Sequence, residues 1–303
     1  MTHTTEILVF GVTGQQGGAV ARALRAQGQA VRGFVRDPDS EKAKALVADG
    51  INLAVGDLFD RASIDRAMTG IRSVFSVQTS SPSGTLSDED EVTQGKNVAD
   101  SAVAAGVSHF VYSSGGAAGK GATGMGHFDS KSRIEDYVRA QPFAWTITRP
   151  ASFVEMMMLP GMGLNTGTFS YFMYPEQSMQ MITLHDLGRM NAHILLHPER
   201  YAGQALELSG QSITGNDLER AFTQAAGRPI RYQRFPNELL AQNAFLRELT
   251  ALVDSGVVAG VADIAALTDE FGPMLSLEDW LSGPGKTLFK AALNAPQADI
   301  ALR

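Results

Sequence analysis

The chain reads as an α/β protein, with a doubly wound parallel sheet in its first half and a smaller, mostly helical C-terminal part. Three observations carry this reading. Short apolar runs alternate with helix-like stretches up to Pro150, the pattern of helices covering both faces of a parallel sheet. A glycine-rich turn, GVTGQQGG at residues 11–18, separates the first apolar run from the first helical stretch. After Pro150 the alternation stops, and from Thr214 the pattern is mainly helical. A length of 303 residues suits one large α/β domain with a companion.

Taken in order, six strands are expected at Ile7–Phe10, Val31–Val35, Asn52–Val55, Ser73–Val77, Phe110–Ser113 and Trp145–Thr148. Helices fall between them at Gln16–Gln27, Glu41–Asp49, Arg61–Met68, Val92–Ala105 and Ser130–Ala140. On the first helix Val20 and Leu24 are four apart, with alanines filling the same face, so it can lie close to a sheet. The stretch TSSPSGTLSDEDE, residues 79–91, reads as a solvated loop leading into a helix whose dipole its acids suit. Residues 153–181 are rich in Met, Gly and Phe and show no period. Beyond them LHDLGRMNAHILL reads as a helix and GQALELSG as a strand. In SLEDWL, Ser276 is placed to cap a short helix. The residues after Leu281 hold two Gly and two Pro and are expected to be loosely held. The expected division is 1–155, with 183–210 returning to it, and a smaller part made of 156–182 and 211–303.

Composition narrows the function classes. The chain has no cysteine, which removes disulfides, thiolate nucleophiles and Cys-based metal sites, and fits the cytoplasm. A net charge of −7 without a block of Lys or Arg lacks the basic face that nucleic-acid binding needs. No apolar run reaches bilayer-spanning length, and MTHTTEILVF has no basic flank of the signal-peptide kind. Membrane and direct nucleic-acid partners are therefore not expected. His193 and His197 stand one turn apart, but Pro198 follows, which favours a helix ending over a metal site.

The glycine turn carries chemistry. Gly11, Gly14 and Gly17 make G-x-x-G-x-x-G between a strand and a helix, the context in which the pattern means a dinucleotide-binding Rossmann cradle. Gly11 permits the tight turn, Gly14 the approach of backbone to pyrophosphate, and Gly17 the packing of helix on strand. Thr13, Gln15 and Gln16 complete the cradle at the helix N-terminus, where free N–H groups face phosphate. Arg36 follows the second strand, where NAD binders commonly place an acid. Its planar guanidinium suits a 2′-phosphate, so NADP(H) is expected ahead of NAD(H). The neighbouring Asp37 either pairs with Arg36 or favours a hydroxyl. Asp57 and Leu58, after the third strand, fall on the adenine side or form an ordinary turn.

Together VFGVTGQQGGAVARAL, VRGFVRDP, EVTQGKNVADSAVAAGVSHFVYSS, HFDSKSRIEDYV, TITRPASFVE, LHDLGRMNAHILLHPERYAGQALELSG and SLEDWL resemble the NmrA-like family. That family is an atypical branch of the short-chain dehydrogenase/reductase superfamily. The resemblance implies an NADP(H)-binding Rossmann domain with a smaller C-terminal part. It further implies either a redox sensor with a regulatory protein partner, or an NADPH-dependent reductase of a small apolar electrophile such as a quinone, enone or carbonyl compound. It places Pro150, Ala151, Ser152 and Phe153 along the nicotinamide, with Met156 where relatives often carry Asn, and Val77, Gln78 and Thr79, ending the fourth strand, near the nicotinamide-side ribose.

The wider superfamily uses Tyr-x-x-x-Lys, two side chains one helical turn apart. Here Lys131 matches the lysine and His127 stands at the tyrosine position, and none of the six tyrosines has a lysine four residues on. Lys131 is expected to hold the nicotinamide ribose. His127 either donates a proton, as a histidine near neutrality can, or only lines the site. Ser113, where the superfamily keeps its active-site serine, either binds a substrate carbonyl or satisfies its turn. The missing tyrosine favours the sensor. The methionines at 156, 157, 158, 162, 173, 179 and 181 favour the reductase if they line a pliable apolar pocket, and neither if they only pack.

Overall fold

A computed structural model describes residues 6–78 and 86–300. The chain divides into two units, Met1–Arg149 with Leu187–Leu206, and Pro150–Asp186 with Glu207–Arg303.

The first unit is built on β1 (Ile7–Val9), β2 (Val31–Val35), β3 (Asn52–Val55), β4 (Ser73–Ser76), β5 (His109–Ser113) and β6 (Ala144–Pro150). With β10 (Gln204–Leu208) they form a seven-stranded sheet in the order β10-β6-β5-β4-β1-β2-β3. Neighbours from β3 to β6 pair in parallel. β10 runs the same way as β6, since Gly203 N–H donates to Trp145 C=O (2.7 Å) and Ala151 N–H to Leu208 C=O (2.8 Å). The strand order reverses between β1 and β4, and in such sheets the crevice at that reversal is where ligands bind. β1 and β5 are buried along their whole length, as expected for central parallel strands covered on both faces.

The helices follow the expected rhythm: α1 (Gln15–Ala26), α2 (Glu41–Ala48), α3 (Arg61–Met68), α4 (Asp88–Ala104), α5 (Gly126–Arg139) and α6 (Leu184–Leu196). α4 begins four residues before the expected Val92, because Ser87 closes a capping box with Asp90 and four acids fill the first turn. Such a cap contributes about 1 kcal/mol. Helices approach closely where glycines allow it. A Cβ on Gly95 of α4 would stand 2.9 Å from Ile134 of α5, and one on Gly188 of α6 would stand 2.6 Å from Ala19 O of α1. The core between sheet and helices holds Leu8, Phe10, Ile64, Val74, Phe110 and Ile134.

The second unit carries β7 (Ser152–Phe153), β9 (Ser178–Ile182) and β11 (Gln211–Thr214) in one sheet, and β8 (Thr168–Tyr171) paired with β12 (Arg231–Arg234) in another. The aperiodic stretch 153–181 therefore contains three short strands, whose length is below what a hydrophobic period can reveal. Six of its seven methionines (Met157, Met158, Met162, Met173, Met179 and Met181) are core residues of this unit, and only Met156 is partly exposed. They fill space here. Helices α8 (Gly215–Ala226) and α9 (Asn237–Gln242) to α12 (Leu277–Ser282) follow, the last capped by Ser276 as expected. The tail expected to be loose instead forms α13 (Lys286–Leu293), whose Phe289 is buried against Phe222 (5.6 Å between ring centroids). One buried aromatic side chain outweighs a glycine–proline turn as a determinant of order. Among the described residues no helix is long and apolar enough to cross a membrane.

His109 on β5 is buried to 1% exposure. Thr146 Oγ1 donates to Tyr201 C=O (2.9 Å), so it accepts from His109 Nε2–H (2.9 Å). This leaves Nδ1 as a bare acceptor, buried and without a partner. Burial pushes the His109 pKa down to about 4, with Glu199 opposing weakly. The unfolded chain therefore takes up a proton below about pH 6.5 that the folded chain refuses. Stability present above that pH should fall as the pH drops towards 4, by up to ~1.4 kcal/mol per pH unit from this residue. Urea denaturation of His109→Gln between pH 8 and 4 should give a shallower acid limb than the parent. Parallel curves would contradict the assignment.

Candidate functional site

The cradle is set by close packing. Gly11 has φ +64°, and a Cβ there would meet Val77 Cγ1 at 2.6 Å. A Cβ on Gly17 would lie 2.5 Å from Gly11 C and O and 2.6 Å from Phe10 O. α1 thus starts directly against the end of β1, beside the residue that follows β4. Gly14 caps α1 without a side chain, and no acid stands in the first turn. The contrast is with α2, α3 and α4, whose caps Ser40, Asp60 and Ser87 all accept from backbone N–H. Gly14 and Gln15 are exposed, and Thr13 and Gln16 partly so. The positive end of the α1 dipole is therefore left for an outside anion.

Arg36 is exposed at the end of β2. Asp37 does not pair with it: its carboxylate accepts Asp39 N–H (2.9 Å) in a local turn. Among the described residues Arg36 has no ion-pair partner. Asp57 likewise closes a local turn, accepting Phe59 N–H (2.8 Å), and Leu58 C=O is held by Asn97 Nδ2 (2.9 Å). Of these two, the turn reading describes the side chain of Asp57. At the end of β4, Gln78 donates to Ser76 Oγ (2.8 Å), while its Oε1 is buried without a partner among the described residues. A buried bare acceptor suits a ligand hydroxyl or amide donor. Thr79 lies outside the described residues.

Ser113 is joined to the cradle. Its hydroxyl donates to Gln16 Oε1 at 2.6 Å, across 97 residues of sequence. Lys131 is buried on α5 and its Nζ donates to Glu91 Oε1 (2.7 Å) and to His127 C=O (3.0 Å). Ser130 Oγ holds the other oxygen of Glu91 at 2.9 Å. One of the three ammonium donors has no protein partner among the described residues. The Lys131 stem runs beside Gly115, where a Cβ would stand 3.4 Å from Cδ. α5 itself is fixed to β6 by Glu135, which takes two hydrogen bonds from Arg149 (2.9 and 2.6 Å) and one from Arg139 (3.2 Å). Burial alone would raise the Glu135 pKa, but these cations hold it below the usual range.

His127 keeps partial solvent access beside Phe128, with ring centroids 4.7 Å apart. Its surroundings desolvate it and the Lys131 charge opposes protonation, pushing its pKa down to about 3. A shift in this direction favours the neutral ring at pH 7. Pro150 ends β6, Ala151 bonds Leu208, and Ser152 and Phe153 pair with Met181 and Ile182 as β7. These four belong to the second unit. The first unit brings Gln16, Ser113, Gly11, Gly17 and Val77 into one packed group, and Lys131 against the loop after Ser113.

Sequence reasoning missed Glu91, which it placed in a solvated acidic run and which is 1% exposed. The available signal was spacing: Glu91, Gly95, Val98 and Ala102 fall on one helical face, and the last three are small or apolar. Its partner forty residues away has no local signature.

The strand order, switch point and glycine cradle are those of a Rossmann protein of the NAD(P)-binding class. Residues 3–279 match the NmrA-like family, and the chain belongs to it. It is 29% identical over 270 residues to the NAD(P)H azoreductase of Xenophilus azovorans, covering 85% of this chain and 90% of that one. Its fold is similar to Citrobacter sp. triphenylmethane reductase complexed with NADP(H), at a TM-score of 0.76 and 21% identity over 95% of this chain and 100% of that one. It is equally similar to NmrA, a negative transcriptional regulator in complex with NADP, at 0.77 and 22% over 96% and 98%.

The packing of Gly17 makes a test of the cradle. Gly17→Ala must push α1 away from β1, and overpacking of this kind costs about 1–3 kcal/mol. Thermal unfolding should show a lowered Tm, whereas an unchanged Tm would mean that the turn tolerates a Cβ and is not set by this contact.

Proposed function

We propose that this protein is an NADP(H)-dependent reductase of conjugated electrophiles, quinones and cationic dyes among them, that works without a protein-derived acid. The observation that carries the proposal is the residue in the tyrosine's place, His127, whose pKa burial and the Lys131 charge push down. In this reading the α1 N-terminus with Gly11, Thr13, Gly14, Gln15, Gln16 and Gly17 binds the pyrophosphate, and Arg36 the 2′-phosphate. The backbone at Asp57 and Leu58 borders the adenine. Val77, the bare Oε1 of Gln78 and the free donor of Lys131 face the nicotinamide-side ribose. A reduced nicotinamide supplies the hydride. Ser113 is held by Gln16 and orients rather than protonates.

The missing donor selects the substrate. Hydride addition to a simple ketone builds a localised alkoxide that needs a proton in the transition state. A quinone spreads the added charge over its ring, and a triarylmethyl cation is neutralised by it. The names of the relatives, an azoreductase and a triphenylmethane reductase, support acceptors of this kind and outweigh the preference for a sensor drawn from the missing tyrosine alone. The sensor reading keeps one specific support. Ser113 and Lys131 are both engaged internally, as suits a protein that holds a dinucleotide without turning it over, and NmrA is a regulator.

NADPH oxidation followed with a quinone, a triarylmethane dye and a simple ketone separates the two. The reductase should turn over the first two and not the ketone, and His127→Gln should keep the quinone rate within about threefold, well short of the 10²–10⁴ loss expected for a general acid. Turnover of the ketone that depends on His127 would contradict the proposal. No turnover at all, with NADPH bound, would favour the sensor.

A further inference from the structure

We propose that Glu91 is a positioning residue that sets the site's preference between the oxidised and reduced cofactor. The inference rests on the dinucleotide reading above and deepens it. The Glu91 carboxylate is 1% exposed, and the Lys131 side chain 10%. They form a direct 2.7 Å ion pair between α4 and α5, with Ser130 on the second carboxylate oxygen. The pair is neutral as a unit. Two further carboxylates on these helices have their own partners, Glu135 in Arg149 and Arg139, and Glu89 in Arg133 at the surface.

The two redox forms of a nicotinamide differ by one positive charge on the ring, present in the oxidised form and absent in the reduced. A protein discriminates between them by the potential it imposes there. A lysine alone repels the oxidised ring. Here Lys131 adjoins Gly115, two residues past Ser113, whose hydroxyl reaches the Gln16 cradle. Its remaining ammonium donor is the one free to bind a ligand. Glu91 cancels the lysine's charge while fixing its direction, so Lys131 acts as a hydrogen-bond donor with little net field. Such a site accepts the oxidised and reduced forms on nearly equal terms, which suits a turnover cycle that must both bind NADPH and release NADP+.

Calorimetric titration of the cofactor-free full chain with NADPH and with NADP+ tests this, on the parent, Glu91→Gln, Lys131→Gln and the double variant, each with its ligand-free Tm. Glu91→Gln leaves an uncompensated cation, so the ratio Kd(NADP+)/Kd(NADPH) should rise on the order of tenfold. Lys131→Gln leaves an uncompensated anion and should move the ratio the other way, which keeps the test available should Glu91→Gln fail to fold. The double variant is neutral again and should return to the parent ratio, although both affinities are weaker. An unchanged ratio in both single variants, or a double variant that keeps the ratio of Glu91→Gln, would overturn the role of Glu91. A parent that binds neither nucleotide would instead remove the dinucleotide reading, and this inference with it.

Discussion

Everything proposed for this protein depends on one steric fact, the contact between Gly17 and the turn after β1. No side chain fits there, because a Cβ would sit 2.5 Å from Gly11 carbonyl carbon and oxygen. That contact brings the first turn of α1 to the point where the strand order reverses, and it faces the helix dipole outward with a side-chain-free cap. The same approach puts Gln16 within reach of Ser113. Sheet topology, phosphate cradle and serine are thereby placed by a single packing requirement, and a larger residue at position 17 would disturb all three.

A second constraint is electrostatic. α5 carries Ser130, Lys131 and Glu135 on its buried side, and charges buried singly are costly. Each is paired: Lys131 with Glu91, and Glu135 with Arg149 and Arg139. His127 lies beside this arrangement, and its burial, with the Lys131 charge as a second cause, pushes its pKa down.

Much of the fold was legible because its signals are local. Val31–Val35, Asn52–Val55 and Arg61–Met68 match β2, β3 and α3 residue for residue, since turn residues and caps such as Asp60 mark their ends. The glycine motif was legible for the same reason. What escaped depends on contacts between distant residues. α13 is ordered by Phe289 reaching the core of the second unit, and the strands within 153–181 are too short to show a period. In the site, Glu91 was hidden among Asp88, Glu89 and Asp90, and its burial is decided by Lys131 on another helix. The local turns closed by Asp37 and Asp57 are side-chain conformations that residue type alone leaves open.

The central claim is that this cradle, with the unpaired Arg36 beside it, holds a 2′-phosphorylated nicotinamide dinucleotide. Calorimetric titration of the purified protein with NADPH and NADH in parallel tests it most directly. One charged, bidentate contact to the 2′-phosphate is worth about 1.5–3 kcal/mol, so NADPH should bind roughly 10- to 100-fold more tightly than NADH. Equal affinities would contradict the role given to Arg36, and binding of neither would contradict the account of the cradle itself.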